Sequence, residues 1–230
     1  NMQNRNYNPK DAPSRHTGVH DWSNCKRCRL HATRRRVAIR RDSGERKLVH
    51  LLFIGEAPGE MEDILGLPFT GYAGRILDML IEYVQHPFSY VITNTVGCRP
   101  MDLITLGEVN KEDYVDDPSL SEAKSRARGE AAVSGQYDLD YIIENQNREP
   151  TPPEMAACSP HIDELILIEK FTGVVYLGKV ARSYKTRLPS IELFHPAYIG
   201  RMEYKLLPIL RQSRILDKFV EKLHNSQENK

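Results

Sequence analysis

The sequence predicts an α/β protein: three layers, α/β/α, around a central four-stranded parallel sheet. Two observations carry this. Short apolar runs of strand length (48–54, 89–96, 173–177 and 191–194) recur along the chain, and three of the intervals between them hold helix-forming text. The first run, Leu48 to Ile54, is apolar almost throughout, as a strand buried on both faces should be. A length of 230 residues with 40 % hydrophobic content is enough for one large core. No apolar run approaches the ~18 residues of a spanning helix, so no membrane association is expected.

Residues 1–20 are polar, hold two prolines and lack periodicity, and are expected to form a flexible arm. Residues 21–230 read as a single domain with an acidic insertion at about 101–150. Cys25 and Cys28 open a short basic segment, and Asp42-Ser43-Gly44 marks a turn in a hairpin or extended excursion over 34–47. The run 48–54 is the first strand, closed by Gly55. In 72–85, Ile76, Leu77, Leu80, Ile81 and Val84 recur at helical spacing. Residues 89–96 form the second strand. The insertion breaks this rhythm with Asp-Pro and Gly-Gln punctuation and one weakly helical piece, 120–132. Pro152-Pro153-Glu154 signals a helix start, and an apolar stripe continues it to 171. Residues 173–177 are the third strand, 178–184 open a short helix, and 191–194 are the fourth strand. An amphipathic helix over 204–223, with Pro208 in its first turn, closes the domain.

The formal net charge of +1 rules out a uniformly basic nucleic-acid binder, yet it conceals segregation. Residues 1–50 carry net +9, residues 51–100 net −4, residues 101–150 net −7, and residues 151–230 net +3. The insertion's charge would repel DNA, so it is expected to lie outside any DNA path and to suit a protein partner.

Ligands of open parallel sheets bind outside the carboxyl ends of the strands. Three such ends carry unusual polar text here: Gly55-Glu56-Ala57-Pro58-Gly59, Thr93-Asn94-Thr95, and His195-Pro196-Ala197-Tyr198. Singly, each also suits a cap, a turn or a structural histidine; three together point to a site. A carboxylate orients water or stabilises a developing cation, and a histidine donates to a developing oxyanion. An asparagine offers a donor and an acceptor in one plane, matching a pyrimidine edge. Phe69, on the loop leaving the first strand end, suits stacking on a flat base or ordinary core packing. The four cysteines are a Cys25-x-x-Cys28 pair with isolated Cys98 and Cys158. Without further context, an iron–sulfur cluster, a zinc site and four unrelated thiols all remain open.

The motifs together resemble one family. Gly55 to Gly59 with Glu62-Asp63, then Pro68-Phe69-Thr70-Gly71 and Ala73-Gly74, is similar to the first motif region of the iron–sulfur uracil-DNA glycosylases, known as family 4. Thr93-Asn94 with Cys98-Arg99-Pro100, and His195 to Tyr198 followed by Arg201, resemble its later motifs. The resemblance covers about residues 22–100 and 148–223. It implies a glycosylase-like fold and a DNA N-glycosylase that flips uracil out of DNA and hydrolyses its N-glycosidic bond, starting base excision repair. It implies catalytic roles for Glu56 and His195, uracil binding by Gly55, Ala57, Phe69 and Asn94, and DNA contacts from Pro58, Gly59, Pro196, Tyr198, Ile199 and Arg201. It further implies a structural [4Fe–4S] cluster on Cys25, Cys28, Cys98 and Cys158. The expected setting is a monomer acting on uracil-containing DNA in a bacterial, archaeal or phage-infected cytoplasm. Three departures stand out, one being a basic segment, Arg34 to Arg41, denser than the family pattern and suited to phosphate contact or a solvated face. The insertion lengthens the gap between Cys98 and Cys158, and Ile199-Gly200 replaces a larger apolar pair, leaving Ile199 as the candidate strand wedge. The insertion and Gly200 keep open the alternative, a non-cleaving or altered-specificity binder or processor of modified pyrimidines in DNA, against which the intact Glu56, Asn94 and His195 argue.

Overall fold

The computed structural model describes residues 22–101, 103–105, 141–143 and 147–228; for 103–105 and 141–143 only the backbone is described. The expected arm and the helical piece at 120–132 lie outside the described residues.

The main sheet holds β1 (Arg41–Asp42), β2 (His50–Gly55), β3 (Ser89–Asn94), β6 (Gly173–Leu177) and β7 (Ser190–Leu193), in the order β1-β3-β2-β6-β7. The four longer strands pair in parallel, as the sequence predicts. The fifth, β1, gives the 34–47 segment its extended form rather than a hairpin: it adds to the edge, antiparallel to β3, with Arg41 opposite Ile92. Two strands within the insertion, β4 (Leu103–Thr105) and β5 (Tyr141–Ile143), pair antiparallel as a separate ribbon.

Alternation along β2 builds the two cores. Leu51 and Phe53 face one side, where they meet Ile76, Leu77 and Leu80 of α2 (Tyr72–Glu82) and Leu216, Phe219 and Val220 of the last helix, α6 (Leu206–Glu228). Leu52 and Ile54 face the other side, against Ile162 and Leu165 of α4 (Pro160–Glu169). Each such fully buried side chain contributes roughly 1.5–3 kcal/mol.

The predicted long helix over 152–171 is two helices, α3 (Pro152–Cys158) and α4. Pro160 has no N–H to donate to Ala156, four residues back, and the Ser159 hydroxyl donates to that carbonyl instead, at 3.1 Å. Two short helices were not foreseen: α1 (Glu60–Leu65) after the first strand end, and α5 (Pro196–Gly200) after the last.

Candidate active site

Parallel pairing sets Gly55 beside Asn94 at the carboxyl ends of β2 and β3. His195, which follows β7, is the N-cap of α5. Glu56, Ala57, Phe69, Asn94, His195 and Arg201 line one cleft of about 450 Å³. The sequence-predicted trio therefore does converge.

Asn94 is 1 % exposed, and neither its Oδ1 nor its Nδ2 has a hydrogen-bond partner. Its backbone is fixed: the carbonyl meets His161 Nε2 at 3.0 Å, and His161 itself is fully buried on α4. Gly55 keeps the space in front of the amide bare. A Cβ there would fall 2.4 Å from Asn94 Oδ1 and 2.5 Å from the Phe69 ring.

The Phe69 ring lies beside His195, with centroids 5.9 Å apart. Its backbone is left-handed, at φ 55°, which is costly for a residue with a Cβ. Both sides of the peptide after it are held. The Thr70 N–H donates to Glu62 Oε1 at 2.9 Å, and the Phe69 carbonyl accepts from Arg41 Nη1. The same Glu62 carboxylate accepts from Gly59 and Gly71 N–H at 3.1 and 2.7 Å, tying both loops together. Gly74 lets α2 approach, since a Cβ there would sit 1.8 Å from the Phe69 carbonyl oxygen.

Burial, and then the nearby Arg201 charge, push His195 down to about 4, so its imidazole is neutral near pH 7. The Ala197 N–H donates to Nδ1 at 3.2 Å. A neutral ring whose Nδ1 accepts carries its proton on Nε2, which makes Nε2 the donor. Burial and then the Glu149 charge hold Glu56 above its ordinary range.

The predicted rim divides. Tyr198 and Arg201 are exposed and Gly59 partly so, whereas Pro58 and Pro196 are buried. Ile199 is 0 % exposed and packs into the core, which corrects its assignment as the wedge. The cause is α5: Pro196 and Ile199, three residues apart, share its inner face, while Tyr198 and Arg201 share its outer face. The outer face also pairs Tyr198 with half-exposed Phe194, rings edge to face at 5.7 Å. The insertion also differs from expectation. Its last residues, Asn147, Arg148 and Glu149, line the cleft itself.

Cys98 and Cys158 are buried together with Leu30 and Val96, and Cys28 packs against them. Burial pushes Cys98 up to about 12, against the nearby Arg34 charge, with Cys158, Cys28 and Cys25 adding to the rise. Cys158 is pushed up to about 11 by burial, against a 3.3 Å hydrogen bond from Gly97 N–H, with Cys28 and Cys25 adding to the rise. Among the described residues no three His, Cys, Asp or Glu side chains converge on a single metal ion. Buried Glu154 ties this region to the cleft: Arg29, next to Cys28, reaches it at 3.0 Å, and Arg148 grips both its oxygens at 2.8 Å. Although burial opposes it, the Arg148 contact leads the effects that lower Glu154 to about 2.

His161, Arg41 and the 147–149 rim were missed from sequence, and Glu62 is read only as part of a motif, without its role in tying the loops. Only Glu62 left a local signal, three residues after Gly59 at a helix start, where a carboxylate reaches back to the N-cap N–H.

The pattern of the uracil DNA glycosylase superfamily matches residues 43–224. A type-4 uracil-DNA glycosylase of Archaeoglobus fulgidus is 25 % identical over 194 residues, 84 % of this chain and 72 % of that protein. One of Thermotoga maritima is 30 % identical over 162 residues, 70 % of this chain and 59 % of its own length. One of Saccharolobus solfataricus is 28 % identical over 162 residues, 70 % of this chain and 53 % of its own. The aligned part is thus about half of that last relative.

Proposed function

Because the chain belongs to the uracil DNA glycosylase superfamily, we propose that it is a type-4-like uracil-DNA glycosylase, taking flipped uracil into the cleft and hydrolysing its N-glycosidic bond. One observation carries the reading: a fully buried amide with donor and acceptor both unpartnered, beside an aromatic ring and a neutral imidazole. A protein that leaves such a group unsatisfied forgoes roughly 1–3 kcal/mol, which a ligand's complementary edge restores.

Each step follows from groups in the cleft. A stacked base is out of reach, so the nucleotide must be extruded, at a cost of a few kcal/mol. Phe69 stacks on the base. Asn94 Oδ1 accepts from uracil N3–H while Nδ2 donates to O4; cytosine offers the reverse pattern and is refused. As the glycosidic bond breaks, negative charge grows on the base, and His195 Nε2–H donates to O2. A donor placed so is worth roughly 3–4 kcal/mol. A neutral donor suits this step, because it stabilises the oxyanion without surrendering its proton. Ionised Glu56 stabilises the cationic sugar and orients the attacking water. Arg201 and Tyr198 are the exposed candidates for DNA contact on this edge.

The four cysteines fit a [4Fe–4S] cluster: thiols from 25–28, the loop after β3, and α3, set among apolar side chains with an amide donor on one sulfur. Cys25, Cys28, Cys98 and Cys158 would hold it, and its contribution would be structural, stapling the basic first segment to the sheet.

The reading is tested with single- and double-stranded oligonucleotides carrying one deoxyuridine, followed by alkaline cleavage of abasic sites. Strand scission well above that of a Glu56→Ala, His195→Ala double variant is expected. Scission no greater than the double variant's overturns the enzyme reading in favour of a non-cleaving binder of modified pyrimidines.

A further inference from the structure

The Phe69 backbone sits in a conformation it would not choose, and the contact that holds its carbonyl comes from outside the loop. Arg41 belongs to β1, the short antiparallel strand at the sheet edge. Its guanidinium donates through Nη1 to the Phe69 carbonyl and through Nη2 to Asp78 of α2. The side chain is largely buried, at 19 % exposure. Strand, loop and helix therefore meet on one planar group whose two donors point to two fixed acceptors.

The opposite side of the same peptide is held by Glu62, through Thr70 N–H. α2 comes close on the carbonyl side, where a Cβ on Gly74 would sit 1.8 Å from that oxygen. Removing the guanidinium leaves that carbonyl without its charged donor and releases one side of a left-handed residue, which then relaxes toward ordinary φ. The ring would move with it, away from Gly55 and Asn94.

We propose that Arg41, anchored by Asp78, is a positioning residue that holds the Phe69 ring in place as the stacking shelf of the cleft. This rests on the uracil reading for its effect on activity, but not for its effect on the ring. The link to Asp78 makes the shelf sensitive to α2, and the strand that carries Arg41 is what brings a charged donor to the carbonyl.

The test uses full-length protein labelled with 4-fluorophenylalanine at its six phenylalanines, the Phe69 line being assigned with Phe69→Leu. In Arg41→Gln the Phe69 fluorine line is expected to shift and broaden while the other lines hold. Excision of uracil is read alongside as a double-mutant cycle. KM should rise roughly tenfold for Arg41→Gln with Phe69 present, and less than twofold in a Phe69→Ala background, where there is no ring to place. Asp78→Asn, a milder change that keeps the arginine, should move the same line in the same direction and serves if Arg41→Gln does not fold. An unmoved Phe69 line in a folded variant, or equal losses of activity in both backgrounds, overturns the proposal. If the unaltered protein excises no uracil, the functional reading fails while the fluorine line still decides the role of Arg41.

Discussion

Replacing Asn94 by Ala should make the free protein more stable and the enzyme worse. Asn94 is 1 % exposed with both amide atoms unpartnered, beside the bare backbone of Gly55. Each buried, unsatisfied polar group costs roughly 1–3 kcal/mol. Alanine removes both at once and leaves a small gap beside an open cleft, so a net gain of about 1–2 kcal/mol is expected. For a chain of this size that is a rise of roughly 2–8 °C in Tm. Uracil excision should fall about 10²–10³-fold, because the transition state loses its base-reading contacts. Affinity for DNA without uracil should hold, since phosphate contacts dominate it. Thermal melting, single-turnover excision and fluorescence anisotropy at fixed salt read the three quantities. A lower Tm with excision unchanged would refute the reasoning, as would equal losses on uracil-containing and normal DNA.

The remaining predictions concern acid, packing and iron. An ordinary histidine titrates near 6.5, and His195 in the fold does so at about 4, so the unfolded chain binds more protons between those values. Its stabilising contribution is complete above pH 6.5 and is lost as pH falls through about 4. Between pH 7 and pH 4 the protein should lose about 3 kcal/mol more than His195→Gln does in urea melts; equal losses would contradict the assignment. In the proposed role Glu56 acts ionised, and burial with the Glu149 charge holds its carboxyl above the ordinary range, so activity should fall on the acid side earlier than for an ordinary carboxylate, and Glu149→Gln should move that limb to lower pH. Gly74→Ala places a Cβ against backbone and should cost about 3 kcal/mol or more, read as a lower Tm and lost excision. Anaerobically purified protein should be brown, and Cys98→Ser should lose both colour and iron; colourless protein with stoichiometric zinc would refute the cluster.

What the sequence discloses follows the range of the forces involved. The strand at 173–177 is predicted to the residue because a continuous apolar run between helices has few other uses. The trio Glu56, Asn94 and His195 is legible because strand ends in such folds share an edge. Pro160 is equally visible, yet the apolar stripe continuing past it suggests one helix; the break depends on Ser159 taking over a carbonyl. Ile199 misleads because the text after His195 reads as an exposed loop, whereas His195-Pro196 also spells an N-cap and first helical residue. Arg41 and His161 leave no local trace. Their contacts, to Phe69 and to the Asn94 carbonyl, join residues 28 and 67 positions apart.

In the proposed function the buried amide of Asn94 reads the N3–O4 edge of uracil. This reading is tested most directly by comparing excision from two otherwise identical single-stranded oligonucleotides, one with deoxyuridine and one with its N3-methyl derivative. The methyl group removes the hydrogen that Oδ1 must accept and occupies its space. Release of uracil is expected, with a rate for the methylated base lower by at least about 10²-fold. Comparable release of both bases would contradict it.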